Sequence, residues 1–206
     1  SVDDNSWLVA QEIPADTAAE FNSSLRHDLG RGQDAVNLVL EGAGPRGVRI
    51  AHVADLGAAL DGVDLTSTPL FIQSGAEHLR LAEDLLALCA DLGQDASRLV
   101  GRIGCDPVAG RATEGGLPVP ACELYDQLAD LSRLLEDKAP GLRTLPVFED
   151  PWHDGGADGA LGLGLVLATA VHVLREMEFR GMPVEDSAAR VHFNLCVSSD
   201  FFLEIS

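Results

Sequence analysis

One stretch of the sequence decides the fold: GLRTLPVFE (141–149), then DPWHDGGAD (150–158), then GALGLGLVLATAVHVLREMEF (159–179). The first segment is a short apolar run, which predicts a buried strand. The glycine pair behind it permits a sharp turn, and the long apolar segment predicts a helix from about Asp158 to Phe179. Another strand-like run, ARVHFNLCV (189–197), follows. A strand, a helix and a second strand in this order predict a right-handed βαβ unit of a parallel sheet.

The same alternation extends back toward the N-terminus. Further strand-like runs are AVNLVLE (35–41), TPLFIQS (68–74) and SRLVGRIGC (97–105). Apolar residues at helical spacing fill two gaps, AEHLRLAEDLLALCADL (76–92) and PACELYDQLADLSRLLEDK (120–138). Before the first strand, Asp16 or Thr17 is suited to N-cap a helix that ends near Gly30. The fold class is therefore α/β with parallel strands. The units fit either a doubly wound sheet or most of a (β/α)8 barrel.

Composition restricts the possible partners. Thirty-three acidic residues against fourteen basic ones give a net charge of −19, which repels phosphate backbones and anionic lipid surfaces. We therefore expect no nucleic acid and no membrane as partner. The longest apolar run, 160–174, is too short to span a bilayer, and we expect its helix to be covered on more than one side. The opening SVDDNSWLV lacks a basic region leading into an apolar one, which favours a cytoplasmic protein.

The cysteines predict reduced thiols rather than a disulfide or zinc framework. All four are widely spaced, and each lies in or beside an apolar segment: Cys89, Cys105, Cys122 and Cys196. Disulfide or zinc frameworks in small domains require paired spacing. We expect these thiols to lie in the core.

A glycine motif and a cysteine–aspartate pair are candidate sites. GAGPRG (42–47) has the letters of a dinucleotide fingerprint, but the fingerprint must lead into a helix and VRIAHV (48–53) is typical of an extended segment. We expect a connecting loop there. Cys105 and Asp106 follow a predicted strand, at the end where α/β folds collect chemistry. No local base would activate the thiol, so a buried thiol and an Asp-Pro turn are expected.

The histidines offer one candidate acid–base pair. His153 follows a strand end, and Asp154 beside it could orient its ring. A His-Asp pair in a loop is more often ordinary than catalytic, and no second histidine at ligand spacing supports a metal site. The remaining histidines are expected to be structural, with His27, His52 and His78 on helix surfaces or in loops.

The residues from 141 onward resemble the methylmalonyl-CoA mutase family. The likeness lies in His153 and an alanine/glycine turn, then a long apolar helix, a strand and the pattern FF-x-E-I at 201–205. GVRIAHVADLGAALDGVDL (47–65) is similar to that family's segment after the first barrel strand. The similarity runs from about Trp7 to the C-terminus.

The resemblance implies a (β/α)8 TIM barrel that binds an acyl-CoA thioester, with adenosylcobalamin on a separate C-terminal domain. In many bacteria the family pairs a catalytic large chain with a small chain whose site is degenerate. Under this interpretation residues 1–34 form an N-terminal arm and helix, and residues 35–206 form the first five-eighths of a barrel. The cobalamin-ligand motif D-x-H-x-x-G is absent from the sequence. We therefore expect no cofactor on these residues and adenosylcobalamin on the large subunit.

Several positions depart from the family's catalytic pattern. Catalytic chains carry a tyrosine in an R-G-Y-D loop after the first strand, whereas the only tyrosine here, Tyr125, lies mid-helix. Against the catalytic G-T-I-Q-N-D, the segment GRIGCD has Gly104 for the glutamine and Cys105 for the asparagine, and keeps Asp106. His153 matches the fourth-strand histidine, but Y-H-M-Q-E-A-G-A is reduced to WHDGGA. Asp106, His153 and Asp154 are thus the candidate residues of a degenerate site.

Two main hypotheses follow for function. The first is the small, non-catalytic subunit of a heterodimeric, adenosylcobalamin-dependent methylmalonyl-CoA mutase, whose partner is the catalytic large subunit. The alternative is a self-sufficient barrel enzyme that uses His153 and Asp154 for acid–base chemistry on a small anionic substrate. A related acyl-CoA mutase with another substrate preference is a third possibility.

Two expectations concern the isolated chain. Five βα units cannot close a barrel, so we expect an unpaired edge at each end of the sheet and self-association through these edges. The last run, SSDFFLEIS (198–206), predicts a helix that begins at Ser198 or Ser199 and stops within its second turn. We expect the sequence to be part of a longer chain.

Overall fold

The computed structural model describes residues 7–43 and 47–199. The helices are α1 Ala18–Leu29, α2 Val53–Ala59, α3 His78–Asp91, α4 Pro107–Glu114, α5 Ala121–Glu136, α6 Asp150–Asp154, α7 Gly159–Phe179 and α8 Val184–Ala189. The strands are β1 Val36–Val39, β2 Leu70–Gln73, β3 Gly101–Gly104, β4 Leu142–Arg143, β5 Leu145–Phe148 and β6 Val191–Asn194. Most of the helix predicted at 198–206 lies outside the described residues.

The four long helices predicted from periodicity are confirmed as α1, α3, α5 and α7. Thr17 begins α1 with a capping box, in which its side chain accepts from Glu20 N–H and the Glu20 carboxylate accepts from Thr17 N–H. This arrangement satisfies two amide groups that the first turn leaves unpaired. The short helices α4, α6 and α8 have eight, five and six residues, and segments of this length are too short to show a helical period.

The strands are parallel and lie in the order of the chain. β1, β2, β3 and β4 pair in succession, and β5 pairs with β6. Only Thr144 separates β4 from β5, so the segment predicted at 141–149 is one interrupted strand. A doubly wound sheet would reverse its strand order at a switch point, and no reversal occurs among the described strands. The prediction of an α/β fold with an incomplete, barrel-type parallel sheet is confirmed.

The two faces of the sheet have different surroundings. Residues such as Leu38, Ile72 and Ile103 are fully buried in the main core, which the helices share. Val147 of β5 packs against Val166 of α7 in a smaller cluster. Successive side chains of a strand point to opposite faces, so the intervening residues form the inner, concave face.

The N-terminal arm partly covers one edge of the sheet, contrary to the expectation of two open edges. Glu12 forms a parallel bridge with Asn37 of β1, and Val48 forms another with Leu40. The Asn37 side chain also donates to the carbonyl of Ala10 at 3.3 Å. At the other end, β6 pairs with β5 and has no strand neighbour on its outer edge among the described residues.

α7 is covered on one side only within the described chain, so the prediction of cover on more than one side is wrong there. Val166 and Val173 are buried, whereas Leu163, Leu167 and Val171 are 48%, 50% and 48% exposed. With 21 residues, the helix is longer than the apolar run noted in the sequence, and by length and composition it could cross a membrane. Length therefore does not exclude a span, although the core helix of a soluble protein passes the same test.

Two burial predictions are also corrected. All four cysteines are free, but only Cys89 and Cys105 are buried, while Cys122 is exposed and Cys196 is half-buried. His78 is fully buried at the start of α3 instead of lying on a surface. Its Nδ1 lies 2.9 Å from the carbonyl oxygen of Gly75.

Candidate functional site

Asp106 lies at the carboxyl end of the sheet and holds two elements together. It N-caps α4, where its Oδ1 accepts from the amides of Val108 and Ala109 at 2.9 and 3.0 Å. Its Oδ2 accepts from the Phe148 amide at 3.0 Å, which ties the end of β3 to the end of β5. Burial raises the pKa of the Asp106 carboxyl, and the three N–H donors oppose this shift. All described hydrogen bonds of Asp106 are to backbone amides, so they stabilise the fold.

Gly104 ends β3 where the strands lie too close for a side chain. A Cβ at this position would lie 2.5 Å from the Thr144 carbonyl oxygen and 2.8 Å from Pro146 Cδ. Both distances are shorter than non-bonded heavy atoms of these kinds approach. A glutamine, which the catalytic pattern requires here, does not fit unless the backbone shifts.

His153 and Asp154 are neighbours on the short helix α6. His153 is half-buried and Asp154 is exposed. Consecutive side chains on a helix diverge by about 100°, and neither residue has a side-chain hydrogen bond or ion pair among the described contacts. The structure therefore places the two candidates side by side in the chain without joining them as an acid–base pair.

Glu149 is a buried carboxylate that the sequence analysis missed. It follows β5, is 7% exposed and accepts from the Cys196 amide at 2.8 Å. Its carboxylate also occupies the space beside Gly162 of α7 where any larger residue would place its Cβ. Glu149 thus links β5, the segment after β6 and α7. The only sequence signal for this role is the glycine, since Gly162 permits the close approach.

The inner face of the sheet is filled by four large side chains. Phe71 and Arg102 are register partners on β2 and β3. The Arg102 guanidinium carbon lies 4.7 Å from the centre of the Phe148 ring, and the ring centres of Phe71 and His192 are 5.7 Å apart. β2 and β6 are not paired with each other, so the last contact crosses the concave face. The interior at this level therefore holds tilted aromatic rings and a buried cation.

Tyr125 lies away from this interior. It is 4% exposed in α5, with its ring edge toward His172 of α7 at 5.5 Å and the Arg180 guanidinium 5.5 Å from the ring centre. Burial raises the pKa of its phenol, and nearby acids add to the effect. The phenol belongs to the helix layer and does not take the place of a loop tyrosine at the strand ends.

The glycine motif at 42–47 does not have the geometry of a dinucleotide site. Residues 44–46 lie outside the described part of the chain, but Gly47 leads into the bridge at Val48, and α2 begins only at Val53. The helix that should follow the last glycine is absent at that point. The expectation of a connecting segment is confirmed for the described residues.

A sequence model of methylmalonyl-CoA mutase matches residues 2–206, nearly the whole chain. The chain belongs to the methylmalonyl-CoA mutase family. Its α/β fold, chain-ordered parallel strands and retained Asp106 agree with the resemblance found in the sequence.

Curated relatives divide by subunit. The methylmalonyl-CoA mutase small subunit of Streptomyces virginiae is 34% identical over 202 residues, which is 97% of this chain. The small subunit of Porphyromonas gingivalis is 28% identical over 98% of the chain, and a probable large subunit of Mycobacterium bovis is 21% identical over 97% of it. The chain is therefore more similar to these small subunits than to that large subunit. It spans about a third of the length of the relatives, since the matches cover 31%, 31% and 29% of them.

Proposed function

We propose that this chain is the N-terminal barrel part of the small, non-catalytic subunit of a heterodimeric, adenosylcobalamin-dependent methylmalonyl-CoA mutase, an isomerase of the cytoplasm. The observation that carries the non-catalytic role is the filled inner face. Phe71 meets His192 across the concave side at 5.7 Å, and Arg102 is buried against Phe148. An acyl-CoA thioester would have to displace these side chains to pass along this face.

The strand ends support the same conclusion. Gly104 has no room for a glutamine, and Asp106 uses both carboxylate oxygens for backbone amides. Groups that would stabilise a transition state must be placed where charge develops. Because Gly104 carries no side chain and Asp106 binds backbone amides, neither residue could assist His153 in catalysis.

The cofactor finds no fit among the described residues. Adenosylcobalamin is large, and in its mutases a histidine holds the cobalt. Two surface cavities, of about 390 Å³ and 350 Å³, are lined without any histidine. In the proposed enzyme the cofactor is bound by the large subunit, which performs the isomerisation.

The N-terminal arm supports a role in docking the large subunit. Trp7, Leu8 and Val9 are 86%, 50% and 43% exposed. The arm is nevertheless fixed, because the Val9 amide donates to the Asp34 carboxylate at 2.9 Å and the Asp34 amide donates to the Val9 carbonyl at 2.8 Å. A fixed apolar surface of this kind is typical of a protein interface.

The proposal is tested by assembly with the large subunit. We expect the His153→Ala chain to support the same conversion of methylmalonyl-CoA to succinyl-CoA as the wild-type chain, and Trp7→Ser to weaken complex formation at least tenfold. Phe179→Ser is the matched control, since Phe179 is also 86% exposed but lies at the end of α7. Loss of turnover with His153→Ala would favour the self-sufficient enzyme. Equal binding by the Trp7 and Phe179 variants would contradict docking through the arm.

A further inference from the structure

An apolar groove lies on the surface between α2 and the end of α3. Its cavity of about 390 Å³ has a floor of core residues, formed by Leu60, Val63 and Leu88. Leu92 also lines it and is 51% exposed. Core side chains that reach the surface beside an exposed leucine form a patch that a protein partner could cover.

Gly57 leaves this groove open, and the fold does not require a glycine there. Gly57 lies in the interior of α2, where a glycine lowers the stability of the helix relative to alanine. A Cβ at this position would lie 3.5 Å from Leu88 Cδ1, which is an ordinary van der Waals contact. The local packing therefore admits a side chain at position 57, and its absence keeps space above the floor of the groove.

The polar groups of the groove already have partners within the chain. Gln94 Oε1 accepts from the Leu65 amide at 3.0 Å. The Asp64 carboxylate accepts from the hydroxyls of Thr66 and Ser67, both at 2.8 Å, and these hydrogen bonds lower the pKa of the Asp64 carboxyl. A site for a small polar ligand offers a few polar groups that converge on it. These groups are instead used to fix the loop, so the groove is better suited to an apolar side chain.

The charges around the groove favour a cationic partner. Four carboxylates line it or are next in sequence to its lining residues: Asp61, Asp64, Asp91 and Asp95. Two arginines offset part of this charge. Arg26 forms an exposed ion pair of 3.8 Å with Asp61, which is weak, and the charge of Arg98 acts on Asp64 and Asp95. The rim remains negative, and a second copy of this chain, with its net charge of −19, would be repelled.

The groove and the N-terminal arm lie on the same side of the fold. The arm is bonded to Asp34, shortly before β1, and Gln94 of the groove is bonded to Leu65, shortly before β2. β1 and β2 are neighbours in the sheet. Helix α1 connects the two regions, since Asn22 donates to the Asp61 carbonyl at 2.9 Å. A partner that docks on the arm can therefore extend to the groove.

We propose that the groove binds a helix of the large subunit, whose apolar side chains enter between α2 and α3 and whose lysine or arginine meets the acidic rim. This inference rests on the proposed function, which has the large subunit dock at the arm. An amphipathic helix binds a groove by laying its apolar face into it, and charges at the rim add specificity and speed association. Residues 1–6 of this chain do not suit the same position, because they include Asp3 and Asp4.

The first experiment measures binding of the 206-residue chain to the large subunit. Gly57→Leu fills the groove and should weaken binding at least tenfold, whereas Gly57→Ala adds only one methyl group and should weaken it less. Circular dichroism checks that each variant is folded. Should Gly57→Leu fail to fold, Leu92→Ser tests the same contact at an exposed position. Its matched control is Leu161→Ser, since Leu161 is 55% exposed but lies on α7, and only Leu92→Ser should weaken binding.

The second experiment does not need the large subunit. An amphipathic helical peptide of leucine and lysine is titrated against the chain, while NMR follows the methyl groups of Leu88 and Leu92. A peptide of leucine and glutamate with the same apolar face is the reference. We expect the lysine peptide to shift these methyl signals in the wild-type chain but not in Gly57→Leu, which keeps every charge. The glutamate peptide should shift them in neither chain.

The outcomes separate this inference from the proposed function. Methyl signals of Leu88 and Leu92 that do not respond to the lysine peptide would refute the groove as a binding site. Equal binding of the large subunit by the wild-type chain and Gly57→Leu would refute this occupant and leave the proposed function intact. Failure of the wild-type chain to bind the large subunit would contradict the proposed function, and this occupant with it.

Discussion

Replacing Asp106 tests its structural role at the ends of β3 and β5. In Asp106→Ala, α4 loses its N-cap, which costs about 1 kcal/mol. The buried Phe148 amide, now 3.0 Å from its acceptor, loses its only side-chain partner, which costs about 2 kcal/mol. The free energy of unfolding should therefore fall by about 3 kcal/mol. Asp106→Asn keeps an oxygen for the cap but turns an N–H toward Phe148, so an intermediate loss is expected.

The assay is urea unfolding at pH 7, followed by far-UV circular dichroism. Asp95→Ala is the matched control, because Asp95 caps a short 3₁₀ turn and accepts from the Ser97 amide at 3.0 Å, but its bonds lie at the surface and join no second strand. It should cost no more than about 1 kcal/mol. If Asp106→Ala is no more destabilising than Asp95→Ala, the link between β3 and β5 does not stabilise the fold as described here.

Three further predictions concern stability and association. Burial holds the folded-state pKa of His78 below its ordinary 6.5. Its contribution to stability is therefore present above pH 6.5 and lost as pH falls, and the urea midpoint of the wild-type chain should fall between pH 7 and pH 5. In His78→Leu the midpoint should depend less on pH over this range. Gly104→Gln should destabilise by about 2 kcal/mol in urea, whereas Gly116→Gln, with open space around it, should change the midpoint little. If the chain self-associates through α7, Leu167→Glu should lower its sedimentation coefficient, and Leu92→Glu, at a similarly exposed leucine, should not.

The elements of the fold could be predicted because each carries its own period. The strand at 141–149 and the helix at 159–179 are set by local runs of apolar residues, and the structure confirms both with shifts of one or two residues. The short helix α6 escaped prediction because five residues do not complete two turns. The exposed side of α7 escaped it for another reason. Apolar composition shows that a surface needs a partner, but not whether that partner is in the same stretch of chain.

The candidate site was only partly predictable. Asp106 and His153 follow strand ends, and position in the sequence is enough to place them at one edge of a parallel sheet. The contact between Phe71 and His192 depends instead on the curvature of the sheet, which brings unpaired strands together. The burial of Arg102 has the same origin, since its neighbours come from three different strands. No local pattern encodes such contacts.

The bridge between Glu12 and Asn37 bears on the order in which the strands can pair during synthesis. Neighbouring strands are also successive in the chain, and the arm covers the edge of the strand made first. During synthesis on the ribosome, each new strand therefore meets a finished edge as it emerges. The edge of β1 can therefore be partly paired before the later strands are made, which leaves fewer unpaired groups for a wrong partner.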